Sequence, residues 1–168
     1  DVTDIPSQGI IETGEEAMDP SRLADLEEIR QLKARYFRTL DTKQWKEFGE
    51  VFTEDCALAN GPVEDGVVTG RNEIVAYVKR GVQHLNTVHH GHMPEIEFTG
   101  ADTASGIWAM FDRLRGDGFE LDGWGHYHEE YRRGEDGRWR ISSSRLTRLC
   151  VVSPDAKLVA SIWPESRV

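Results

Sequence analysis

Cysteine is scarce in this chain: there are two, Cys56 and Cys150, far apart and outside any metal-binding spacing. That excludes a disulfide framework and a zinc–thiolate module as the source of stability. Neither thiol has the clustered cations that would lower its pKa, so both read as reduced, buried side chains. Positive charge is also short, with 20 Lys and Arg against 30 Asp and Glu and a formal charge of -10. A surface of that sign repels phosphate backbones and no basic stripe reverses it, so no nucleic-acid partner is expected. Long hydrophobic runs are missing too. No segment holds enough consecutive apolar residues to span a bilayer, and the opening stretch DVTDIPSQGIIETGEEAMDP carries acids where a secretory signal carries bases. The expectation is a soluble, cytoplasmic protein with no membrane partner.

What remains is patterning. At 168 residues the chain has the length of one domain, able to bury about two-thirds of its unfolded surface. Residues 1–18 are polar without a sustained apolar period and read as a flexible arm; residues 19–151 read as the folded domain and 152–168 as a C-terminal extension. Asp19 and Pro20 suit the start of a helix, and Leu23, Leu26, Ile29, Leu32, Tyr36, Phe37 and Leu40 continue it at three- and four-residue spacing. A second helix is expected over 43–52, a short hairpin pairing 56–60 with 66–69, and a third helix capped by Thr69 with Ile74, Val75, Val78 and Val82 on its apolar face. Strands follow over 87–99, 103–114, 123–133 and 138–151, separated by GAD, RGDG and GEDG turns. Three helices before an antiparallel meander make an α+β fold, a cone-shaped barrel in which the helices pack on a curved, mostly antiparallel sheet. Its interior is the expected pocket.

Three polar residues stand out because their positions aim them into that pocket. Tyr36 lies within the apolar stripe of the first helix, and Asp41 stands four residues beyond Phe37 on the same side. In NTVHHGHM, alternation puts His89 with Gly91 on one face and His90 with His92 on the other. Gly91 leaves room beside His89. Further along, alternation separates Trp124, His126 and His128 from Gly125, Tyr127, Glu129 and Tyr131. Trp108, Met110, Tyr127 and Phe37 are the candidate ligand contacts.

The segments LEEIRQLKARYFRTLDTKQWKEFGEVFTEDC, TGRNEIVAYV, TVHHGHMPEIEF and HYHEEYRRGEDGRWRIS resemble the SnoaL-like branch of the nuclear transport factor 2-like superfamily. The more specific similarity is to the group of scytalone dehydratase, bile-acid 7-alpha-dehydratase and hexachlorocyclohexane dehydrochlorinase. In that group a helix-end Asp and a strand His form a catalytic dyad, and Asp41 and His89 match those positions. Tyr36 is similar to the helix tyrosine that several of the dehydratases use. The resemblance also implies a homo-oligomer, dimer or trimer.

The chemistry is coherent on its own terms. An imidazole with an ordinary pKa of about 6.5 can take a proton at neutral pH, and a carboxylate on its other nitrogen fixes the tautomer. His89 is the candidate base, Asp41 its orienter, and Tyr36 the hydrogen-bond donor to a developing oxyanion. The expected function is a cofactor-independent lyase of dehydratase type, or an isomerase, acting on a hydrophobic, cyclic small molecule. A non-catalytic small-molecule-binding or scaffolding domain of the same fold stays open. No metal is expected, because His90 and His92 stand two strands from His126 and His128, about 9 to 10 Å away. The tail residues Leu158, Ile162 and Trp163 are candidates to close the mouth of the cone or to pack on a neighbouring subunit.

Overall fold

The apolar period of the folded region produces one long helix, α1 (Pro20–Asp41). The computed structural model describes residues 20–59, 66–153 and 156–159. Ile29, Leu32, Tyr36 and Leu40 are buried along one face of α1, whereas Leu23 is 55% exposed. Leu23 stands about 120° around the helix from Ile29, off the seam that contacts the sheet. The buried position one turn before Ile29 is taken by Asp25, whose carboxylate accepts the Trp139 indole N–H at 3.1 Å and Arg133 Nη2 at 2.6 Å. The terminal DGRWRI segment thus pins the start of α1 to the far end of the sheet. Asp19 and residues 1–18 lie outside the described residues.

The second helix, α2 (Trp45–Gly49), is shorter than the 43–52 expected. Lys43 takes a left-handed φ of 60° that ends α1, and Phe52 already opens the first strand. That strand, β1 (Phe52–Ala59), pairs antiparallel with β2 (Val68–Thr69). Helix α3 (Arg71–Val82) begins after Gly70, φ 97°, rather than at a Thr69 cap, because Thr69 is held in the ladder opposite Ala57. Then come β3 (Asn86–Phe98), β4 (Thr103–Gly116), β5 (Phe119–Arg133), β6 (Trp139–Ser153) and β7 (Ala156–Val159). The order across the sheet is β2-β1-β6-β5-β4-β3, with β7 added to β6.

Every neighbour pairs antiparallel except β1 and β6, which run parallel, so the sheet is mixed, curved and unclosed. The three helices pack on its inner face, as the α+β reading anticipates. One cross-strand row places the site: His89 on β3 lies opposite Asp112 on β4, which lies opposite Gly123 on β5. A register shift between β5 and β6 beside Gly125 brings Arg148 close to this row. The side chains of residues 154–168, including Leu158, Ile162 and Trp163, lie outside the description. Among the described residues, no helix is long and apolar enough to cross a membrane.

Candidate active site

Asp41 is the last residue of α1, and the chain leaves the helix through a closed turn. Gln44 N–H donates to Thr39 O at 2.8 Å and Lys43 N–H to Leu40 O at 3.2 Å, the paired bonds of a Schellman motif with Lys43 at its left-handed position. That turn aims the Asp41 carboxylate at β3. Its Oδ2 accepts the backbone N–H of His89 at 2.9 Å, and its Oδ1 accepts the Thr87 hydroxyl at 2.9 Å and meets His89 Nδ1 at 2.6 Å. A carboxylate accepting from these donors has only lone pairs to offer the ring. We therefore assign the imidazole proton to Nδ1, which leaves the lone pair on Nε2.

His89 forms part of the wall of a cavity of about 500 Å³, a size suited to a drug-sized or smaller molecule. Leu40, Val78, Val82, Leu114 and Leu146 supply its apolar lining; Tyr36, Tyr127, Asp112 and Arg148 share the polar part with His89. Burial raises both phenols, Tyr36 and Tyr127, far above the ordinary tyrosine value, reinforced by nearby carboxylates such as Glu129. Both therefore keep their protons at neutral pH and can donate hydrogen bonds. Arg148 is held by two bonds to Asp112, Nη1 to Oδ1 at 2.7 Å and Nη2 to Oδ2 at 2.6 Å. The pair fits because Gly123 has no side chain: a Cβ there would overlap both the Asp112 carboxylate and the Arg148 guanidinium.

Under the phenols lies a second ion pair, between Lys33 and Glu129, with both side chains fully buried and 2.5 Å between Nζ and Oε1. Burial draws the Lys33 ammonium below the ordinary lysine value, against the pull of Glu129. Glu129 is also satisfied by Ser144 Oγ at 3.1 Å and by the Tyr131 hydroxyl at 2.7 Å, whose oxygen in turn accepts the Trp108 indole N–H at 2.7 Å. The ammonium sits 3.6 Å from the Tyr127 ring centre and 4.2 Å from that of Tyr36, so it fixes both rings by cation–π contact.

Residues 21–145, most of the chain, match the SnoaL-like domain family. The chain belongs to the SnoaL-like family. Solved structures share its fold. A protein of unknown function from Mycobacterium tuberculosis is 27% identical, covering 79% of this chain and 77% of its own, with a TM-score of 0.68. A candidate scytalone dehydratase from Novosphingobium aromaticivorans is 19% identical, covering 85% and 96%, with a TM-score of 0.73. A hexachlorocyclohexane dehydrochlorinase from Novosphingobium barchaimii is 20% identical, covering 81% and 94%, with a TM-score of 0.70. The family match bears out the SnoaL-like membership expected from the motifs of the chain.

Within this SnoaL-like domain Tyr36, His89 and Tyr127 meet around the largely apolar cavity, and Asp41 stands behind His89. Trp108 and Met110 have the same inward parity and are buried, but they are not in the cavity wall: Trp108 is tied to Tyr131, and Met110 lies with Sδ 3.9 Å from Arg148. Phe37 fills the space left by Gly91, where a Cβ would come within 2.7 Å of its ring, and it faces a shallow depression instead of the cavity lined by His89, Tyr36 and Tyr127. The room beside His89 is thus occupied by protein.

Asp112 and Arg148 escaped the sequence reading although a signal was present. Asp112 continues the inward parity of Trp108 and Met110, and Arg148 that of Leu146. A charge at a position whose neighbours face the core calls for a partner. Among the described residues no cluster of His, Cys, Asp and Glu is placed to hold a metal ion. Cys56 is buried in β1 with its thiol pushed up to about 12 by burial, which makes it inert; Cys150 is half-buried on β6.

Proposed function

We propose that the protein is a lyase or isomerase that works without a cofactor, abstracting a carbon-bound proton from a hydrophobic, cyclic small molecule. One observation carries this reading: the 2.6 Å contact from Asp41 to His89 Nδ1, which leaves Nε2 as the basic nitrogen of a side chain in the wall of a largely apolar cavity. Nε2 takes the proton, and the carbon–hydrogen electron pair moves toward an adjacent carbonyl or directly into a new double bond. In an elimination the β substituent departs with its bonding pair; a departing hydroxide takes the abstracted proton back from the imidazolium, directly or through a tyrosine hydroxyl that is reprotonated by it, and leaves as water. In an isomerisation the imidazolium returns the proton to another carbon of the same molecule. Asp41 stabilises the imidazolium in both.

Tyr36 and Tyr127 supply protonated hydroxyls where negative charge grows, and Arg148, held still by Asp112, supplies a fixed positive charge at the same wall. Leu40, Val78, Val82, Leu114 and Leu146 exclude water around the reacting carbon, which strengthens each of these interactions. Deuterium oxide provides the test. Cyclic ketones and β-hydroxy ketones of one to four rings are incubated with the protein, and exchange or elimination is followed by mass spectrometry. Turnover is expected for part of the panel and should fall by about 100-fold or more in His89→Gln. His89→Gln turning over within threefold of the wild type would remove His89 as the base.

A further inference from the structure

Lys43 and Thr87 lie behind the dyad, outside the wall of the substrate cavity. Lys43 Nζ donates to Thr87 Oγ1 at 2.7 Å, and Thr87 donates onward to Asp41 Oδ1 at 2.9 Å. An ammonium has no lone pair, so the Thr87 oxygen must accept there and its single proton must go to Asp41. The chain of donors therefore has one direction, ending on the carboxylate oxygen that also holds His89 Nδ1.

The backbone provides the second observation. Lys43 occupies the left-handed position of the Schellman turn at φ 60°, where glycine is the usual residue. A side chain with a Cβ is strained at that position, and the strain is unproductive unless the side chain itself has a task. Its ammonium reaches the dyad from a separate cavity of about 400 Å³ on the far side, lined also by Asp41, Thr87, His84, Arg113 and Arg115.

The geometry points to Lys43 and Thr87 as positioning residues that act through Asp41, orienting the carboxylate and tempering its charge so that His89 gives up its acquired proton more readily. The inference deepens the reading of His89 as the base and rests on it. The sign follows from electrostatics. Removing the Lys43 cation, or the proton that Thr87 donates to Asp41, leaves the carboxylate more negative towards the imidazolium, so His89 should hold its proton to higher pH. The other groups around His89 stay in place in such variants. They are Tyr36 and Asp41 from α1, Tyr77 and Arg80 from α3, Asp112 from β4, Tyr127 from β5 and Arg148 from β6, with Arg38, His90 and His92 around the shallow depression and His84, Arg113 and Arg115 in the far cavity.

The experiment is a pH titration of the imidazole resonances in full-chain protein labelled with 15N and 13C at histidine, His89 being assigned by the signal missing from His89→Gln. In Lys43→Gly the His89 midpoint should rise by roughly half a pH unit, from the loss of a unit charge within about 8 Å in a partly aqueous setting, and in Thr87→Val it should rise too, from the loss of a hydrogen-bond donor to Asp41. Lys43→Arg should keep the wild-type midpoint. Lys43→Gly should melt no lower than wild type, since glycine relieves the backbone, which separates the electrostatic role from a structural one. Unmoved midpoints in Lys43→Gly and Thr87→Val would overturn the inference, as would an equal shift in Lys43→Arg. If instead no cyclic substrate is turned over while these shifts appear, the positioning role stands and the proposed activity fails.

Discussion

The fully buried Lys33–Glu129 pair provides the sharpest energetic prediction. Replacing Glu129 by Gln keeps the shape and leaves the amide to meet Ser144 and Tyr131, but it strands an ammonium with no exposure against the rings of Tyr36 and Tyr127. Breaking a buried pair on one side costs about 3 to 5 kcal/mol, against a total domain stability of about 5 to 15. Replacing Lys33 by Met strands the carboxylate instead, and it retains its two hydroxyl donors, so this variant should lose less. In the double variant both charges are gone and the remaining side chains can share the volume, so the combined loss should fall about 2 to 4 kcal/mol short of the sum. Urea denaturation followed by tryptophan fluorescence and far-ultraviolet circular dichroism measures all four proteins. With a slope near about 2 kcal/mol per molar urea, Glu129→Gln should move the midpoint down by roughly 1.5 to 2.5 M. A Glu129→Gln loss below about 1 kcal/mol, or additive single variants, would refute the assignment of a charged, mutually dependent pair.

Two more outcomes follow from buried groups. Tyr36, Tyr127 and Tyr131 all have phenols raised by burial above the ordinary tyrosine value of about 10, so the fold favours their protonated forms. The stability they contribute is present below pH 10 and is lost as pH climbs beyond it, at about 1.4 kcal/mol per phenol one pH unit higher. Their phenolate absorbance, assigned with single Phe variants, should therefore appear together with unfolding; its appearance at pH 11 in a protein with intact near-ultraviolet circular dichroism would contradict this. Gly123→Ala should cost about 1 to 3 kcal/mol by thermal melting and displace Arg148 from Asp112. A crystal structure of that variant with the ion pair unmoved would contradict it.

The amino-acid sequence by itself determined the elements and their facing. The spacing of Ile29, Leu32, Tyr36 and Leu40 specifies the seam of α1, and alternation in β3 and β5 specifies that His89, Tyr127, Glu129 and Tyr131 turn inward while His90, His92, Trp124 and His128 turn out. Both signals are local: the periods of helix and strand decide which side of an element a residue occupies. Tertiary structure alone decided how deep each inward residue lies and which partner it finds. Trp108 and Met110 share the parity of Asp112, yet only Asp112 reaches the cavity wall. Arg148 meets Asp112 because a register shift and the missing side chain of Gly123 bring together residues 36 positions apart. Lys43 reaches Thr87, 44 positions away, only through the left-handed turn that closes α1. Periodicity carries no information about such long-range choices; they come from the curvature of the sheet and the docking of α1 upon it.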